Sequence, residues 1–132
     1  MSLHMLDTNT VSSLVRGNAK VLARIRQHEV SAICISSITE GELRYGLAKR
    51  PDAMSLHAAV NEFLRRAAVM PWDTDAARAF GTLRATMERK GKSLGAFDML
   101  IAAHAISVNA MLVSNDKAFR FVPSLVLEDW TR

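Results

Sequence analysis

Short apolar runs alternate along this chain with longer stretches whose apolar residues recur at helical spacing. Met5-Leu6 runs straight into Asp7, Thr8 and Asn9, the pattern of a central strand leaving the core. A short helix is predicted over residues 11–16, stopped by Gly17-Asn18. A second covers 19–27, with Val21, Leu22 and Ile25 on one face. Val30 to Ile35 is almost uninterrupted in apolar character and reads as a buried strand. Ser36-Ser37 offers a helix cap, with Glu40 three residues after Ser37 as in a capping box, and that helix continues to about Ala48.

From Ala53 to Ala67 the positions Leu56, Ala59, Val60, Phe63, Leu64 and Ala67 form one helical stripe. Val69-Met70 is a short strand closed by Pro71. Asp73 or Thr74 caps the next helix, striped by Ala76, Phe80, Leu83 and Met87 and ended at Gly91. Phe97 to Asn109 is apolar almost all round and reads as a buried helix. Met111-Leu112-Val113 is the next strand, and a last one is predicted within Ser124 to Leu127. Strands alternating with helices imply a parallel sheet covered on both faces, a three-layer α/β/α domain. No repeat, low-complexity tract or linker divides the chain, so residues 1–132 are expected to form a single domain.

Composition narrows this picture. At 132 residues the chain can bury a real core, and 49% hydrophobic against 23% charged residues argues against disorder. No apolar run reaches the roughly 18 residues of a membrane span, and no secretory leader is visible at the start. The lone Cys34 lies in an apolar run and is expected to be a buried, inert thiol. A cytoplasmic protein fits. The formal charge of +4 and the pI near 9.7 favour a polyanionic partner such as nucleic acid.

The chemistry lies in the acids. Asp7, Asp98 and Asp116 each mark a place where apolar structure meets a strand or helix end. Glu42 shares a helical arc with Ile38, Thr39, Leu43, Gly46 and Leu47, whereas Glu40 and Arg44 fall on the opposite, polar side. Glu40 is therefore expected to face solvent and Glu42 to face inward. No cation stands near Asp98 in sequence; Lys92 is the nearest basic residue upstream. Each acid also has an ordinary reading. Asp7 and Asp116 suit caps or turns, Asp98 suits the first turn of its helix, and Glu42 could pair with an arginine. Acids at the ends of different strands of one parallel sheet nevertheless share an edge. A carboxylate pair about 4 Å apart repels by about 4 kcal/mol at a protein-like dielectric. A raised pKa or a bound hard cation relieves that repulsion, and an all-oxygen set suits Mg²⁺ or Mn²⁺. Zinc fits less well, because the four histidines are scattered and Cys34 has no partner; they read as surface residues, with His104 in the core.

Asp7-Thr8-Asn9, ISSITEGELRYG around Glu42, GAFDMLIAAHA around Asp98 and VSND around Asp116 together resemble the PIN-domain ribonucleases. More narrowly, the chain resembles the VapC-type toxins of bacterial VapBC toxin–antitoxin systems, over nearly its whole length. The resemblance implies a Rossmann-like fold and a Mg²⁺- or Mn²⁺-dependent endoribonuclease site. By position it assigns Asp7, Glu42 and Asp98 to the family's core acids and Asp116 to its more variable fourth acid. Thr8, Asn9 and Ser114 become polar supports near the metal; Ser114 stands where many relatives have threonine. The implied reaction is hydrolysis of a phosphodiester by metal-activated water, leaving 5′-phosphate and 3′-hydroxyl ends, with structured RNA, tRNA above all, as substrate. A cognate VapB-type antitoxin and a homodimer are implied as partners.

Arg84, Lys92 and Lys117, together with Arg89, Lys90 and Arg120, are the basic residues expected to guide RNA, against the plainer reading of solvated helix ends. Trp72, Trp130 and Tyr45 are too spread in sequence to suggest a base-stacking platform. The competing reading is a catalytically silent PIN-fold module that binds protein or RNA and uses its acids structurally. A phosphotransfer receiver would need an acidic pair near the first strand and a lysine after the last. A DxD phosphohydrolase would need an acid at position 9, which is Asn9.

Overall fold

The computed structural model describes residues 2–132. Five short strands, β1 (His4–Leu6), β2 (Ile33–Ser36), β3 (Ala68–Met70), β4 (Met111–Val113) and β5 (Leu127–Glu128), form one all-parallel sheet in the order β3-β2-β1-β4-β5. Parallel neighbours need crossover connections. The crossovers are built from helices α1 (Thr8–Val15), α2 (Ala19–Ile25), α3 (Ser37–Ala48), α4 (Met54–Arg66), α5 (Thr74–Arg89) and α6 (Ala96–Ser107).

Alternate residues of the central strands sort the helices onto two faces. Met5, Cys34 and Leu112 belong to a core completed by Leu83 and Met87 of α5 and Met99 and Ile101 of α6. Leu6, Ile35 and Val113 belong to a second, with Val11, Val21, Leu43, Val60 and Trp130 from the opposite side. The three-layer α/β/α fold expected from the alternation is the one that forms. Cys34 is buried as expected.

Element boundaries differ where tertiary partners decide them. The β2 run begins as a 3₁₀ turn over Val30–Ala32, because β1 offers a partner only from Ile33, opposite His4. Val30 is accordingly 73% exposed. The last strand is Leu127–Glu128 rather than 124–127: Ser124 turns the chain with φ of 65°, and pairing with β4 begins only beyond it, where the Val126 carbonyl accepts the Leu112 amide at 2.8 Å. The first helix starts earlier than residue 11, since the Asp7 carboxylate accepts the Thr10 amide at 2.9 Å and caps it. The capping box at Ser37 does not form. Ser36 caps α3 through the Ile38 amide, Ser37 accepts the Trp72 amide at 3.0 Å, and Glu40 pairs with Arg44 at 2.7 Å. Phe97 begins an otherwise buried helix but is itself 56% exposed. His4 is not at the surface: it is buried on β1, beside His28 and Trp130.

Candidate functional site

The parallel register fixes the edge at which the acids gather. Leu6 pairs with Val113, and the Asp7 amide donates to the Val113 carbonyl at 3.0 Å, so Asp7 and Ser114 leave the sheet side by side. From β2 the chain enters α3, which carries Glu42 on its second turn. Asp98 lies in the first turn of α6. Asp116 follows β4 and caps a 3₁₀ turn through the Ala118 amide at 2.9 Å.

The four carboxylates sense one another. Burial drives the Asp98 carboxyl up to about 6, and the charges of Asp116, Asp7 and Glu42 push it in the same direction. Asp7 is also raised, first by burial; hydrogen bonding from Ser114 and Thr10 pulls it part of the way back, while Asp116 adds repulsion. Among the described residues none of the four makes an ion pair with a lysine, arginine or histidine. An arginine partner for Glu42 is thus ruled out. Glu42 is held instead by the Thr8 hydroxyl, which donates to its Oε1 at 2.5 Å.

This donor set has the chemistry of a hard-cation site: oxygen ligands and an excess of negative charge that no ion pair balances among the described residues. It is loosely set. Among the described residues no three His, Cys, Asp or Glu side chains are drawn around one cation position. The polar supports differ in kind. Thr8 positions Glu42, and the buried Ser114 accepts the Asp116 amide at 3.0 Å. Asn9 is exposed in the first turn of α1. His104 is a core residue with Nδ1 2.7 Å from the Ser36 hydroxyl, away from this chemistry.

The basic residues expected to meet RNA are partly occupied. Arg84 pairs with Glu88 at 3.4 Å, and Lys92 lies over the Phe121 ring at 4.3 Å. Lys117 is exposed at the start of the 3₁₀ turn after Asp116. A different set borders Glu42 directly. Arg16, Lys49 and Arg50 line a cleft of about 180 Å³ on one side of it. Tyr45 and Phe97 line a second, apolar cleft on the other. Tyr45 thus gains an aromatic neighbour that its sequence position did not reveal. The legible signal was Glu42, Tyr45 and Lys49 at helical spacing along one face of α3.

The family model described as the PIN domain matches residues 4–125. The chain is similar to the tRNA(fMet)-specific endonuclease VapC of Salmonella typhimurium, 37% identical over 127 residues and 96% of each chain. It is similar to ribonuclease VapC2 of Rickettsia felis, 34% identical over 98% of this chain and 99% of the other. Among solved structures it resembles DNA-bound VapBC from Salmonella typhimurium, with a TM-score of 0.91, 37% identity and coverage of 98% and 99%.

Proposed function

Because the chain belongs to the PIN-domain family, and within it to the VapC ribonucleases, we propose that it is a divalent-cation-dependent endoribonuclease toxin acting on structured RNA. The observation that carries this reading is the company Asp98 keeps: Asp116, Asp7 and Glu42 lie near enough to repel its charge, and among the described residues none of the four acids forms an ion pair. Asp7, Glu42, Asp98 and Asp116 would hold Mg²⁺ or Mn²⁺. When bound, such an ion supplies Lewis acidity toward a phosphoryl oxygen and lowers the pKa of water.

The chain's own groups do the positioning. The Asp7 carboxylate is fixed by the α1 cap, through the Thr10 amide, and by hydrogen bonding from Ser114. Thr8 orients Glu42 from the neighbouring turn. Ser114 restrains the loop that carries Asp116.

Substrate and partner follow from the relatives. A relative is named for tRNA(fMet), and tRNA is the substrate proposed for this chain. VapBC is a family of toxin–antitoxin systems, and a VapB-type antitoxin is proposed as the inhibitory partner. An apolar groove of about 550 Å³ lined by Val15, Leu22, Ile25, Val30 and Phe63 offers it a surface on α1, α2 and α4. A homodimer and a cytoplasmic setting complete the reading.

The test incubates purified protein with total tRNA and rRNA, with Mg²⁺ or with EDTA, beside an Asp7→Asn variant. Discrete cleavage that requires both the ion and Asp7 is expected. Cleavage surviving EDTA and the substitution points to contaminating nuclease and overturns the assignment; toxicity surviving Asp7→Asn favours the silent binding module.

A further inference from the structure

Four carboxylates at one edge repel the phosphates that the proposed reaction must bring to them. A polyanionic substrate therefore needs nearby cations that are not already spent on acids. Arg16, Lys49 and Arg50 meet that need. They come from the C-terminal ends of α1 and α3, line the same cleft as Thr8 and Glu42, and make no ion pair among the described residues. By contrast, Arg84 is paired with Glu88.

Glu42 also faces the second cleft, on the other side of α3, with Ser37, Ile38 and Gly41. Its walls carry two of the most exposed large apolar side chains of the molecule, Tyr45 at 65% and Phe97 at 56%. The Lys49 ammonium sits 4.5 Å from the Tyr45 ring centre and joins the two clefts. Exposed aromatics beside unpaired cations match a single nucleic-acid strand, whose bases stack while its phosphates pair. Gly41 and Gly46 support the same reading. One lines each cleft in the middle of α3, and a Cβ at either would meet no atom within 4 Å. Glycine inside a helix is unfavourable relative to alanine. Packing does not call for these two, yet they keep both cleft walls at backbone level.

We propose that the two clefts flanking Glu42 form one track for an unpaired stretch of RNA, with Arg16, Lys49 and Arg50 on its phosphates and Tyr45 and Phe97 against a base. The track rests on the ribonuclease reading and names the side chains of this chain that would hold the RNA. It adds a contact surface on α3 to the basic residues expected to meet RNA, of which Arg84 is spent on Glu88.

The test measures fluorescence anisotropy of a short single-stranded RNA, and of the same sequence as a duplex, binding to the Asp7→Asn protein across a salt series. Relative to that parent, Arg16→Ala/Lys49→Ala/Arg50→Ala is expected to weaken single-strand binding by about tenfold or more and flatten the slope of log affinity against log salt by about 2. Tyr45→Ala and Phe97→Ala should each weaken it by about 5- to 150-fold, with Tyr45→Phe preserving affinity. Duplex binding should be weaker throughout. Gly46→Leu, which fills the cationic cleft, should reduce binding while thermal unfolding shows the fold intact.

Unchanged affinity and salt slope in the triple variant overturn the track. If the wild type nevertheless cleaves RNA in an Mg²⁺- and Asp7-dependent way, the nuclease assignment stands without it. If Tyr45→Ala and Phe97→Ala instead convert a dimer to a monomer at unaltered RNA affinity, the aromatic cleft is a contact between copies, and the base-stacking role is refuted.

Discussion

Removing one negative charge should make the ion-free protein more stable. Asp98 titrates at about 6 in the folded chain against 3.8 ordinarily, first because it is buried and then because Asp116, Asp7 and Glu42 repel its charge. For an acid raised by folding, the favourable contribution is present below 3.8 and is lost as pH climbs through about 6. At about 1.4 kcal/mol per pH unit the rise is worth at most roughly 3 kcal/mol, and screening at a partly exposed carboxyl brings it to about 1–2 kcal/mol. Asp7 shifts the same way and adds to the loss. In EDTA the wild type should therefore weaken between about pH 4 and pH 7, and Asp98→Asn should remove most of that slope. At pH 8 the variant should unfold roughly 4–8 °C higher. Mg²⁺ should raise the wild-type midpoint and leave the variant nearly unmoved, since a ligand that binds only the folded state stabilises it by mass action. Thermal unfolding by circular dichroism reads all four conditions. A variant no more stable than wild type in EDTA at pH 8, or stabilised equally by Mg²⁺, would refute the electrostatic reasoning.

Thr8→Val cuts the hydroxyl tether to Glu42 and should lower the initial cleavage rate by about tenfold, the equivalent of about 1.4 kcal/mol, with Thr8→Ser restoring it. Asp7→Asn and Asp7→Ala should both be inactive, but only alanine removes the α1 cap; its urea midpoint should correspond to about 1 kcal/mol less stability than the asparagine variant. Burial pushes the Cys34 thiol up to about 12, so a thiol-reactive chromogen should label the protein only after denaturant unfolds it.

Much of this molecule could be read from its residues, and the failures have identifiable causes. The β1, β4 and α4 boundaries follow from apolar runs and helical stripes that no tertiary partner overrides. The β2 run misled at its start because Val30 and Ala32 have strand-like composition but no strand beside them. Ser36 displaced Ser37 as the α3 cap because Trp72, remote in sequence, engages the Ser37 hydroxyl. The gathering of Asp7, Glu42, Asp98 and Asp116 was legible because strand ends of a parallel sheet must share an edge. The pairing of Tyr45 with Phe97, and of Arg16 with Lys49 and Arg50, was not legible: it depends on how α1 and α6 pack against α3. His4 looked like a surface residue at its place in the chain, yet it is held inside by His28 and Trp130.

Direct binding of a paramagnetic ion tests the central claim without any substrate. Mn²⁺ titrated into the protein should enhance water-proton relaxation with a saturable transition. Asp7→Asn, Glu42→Gln and Asp98→Asn should each weaken it sharply, while Glu40→Gln, on the polar face of the same helix, should leave it as it was. Saturable Mn²⁺ binding that ignores all three core substitutions, or no binding by the wild type, would contradict the account.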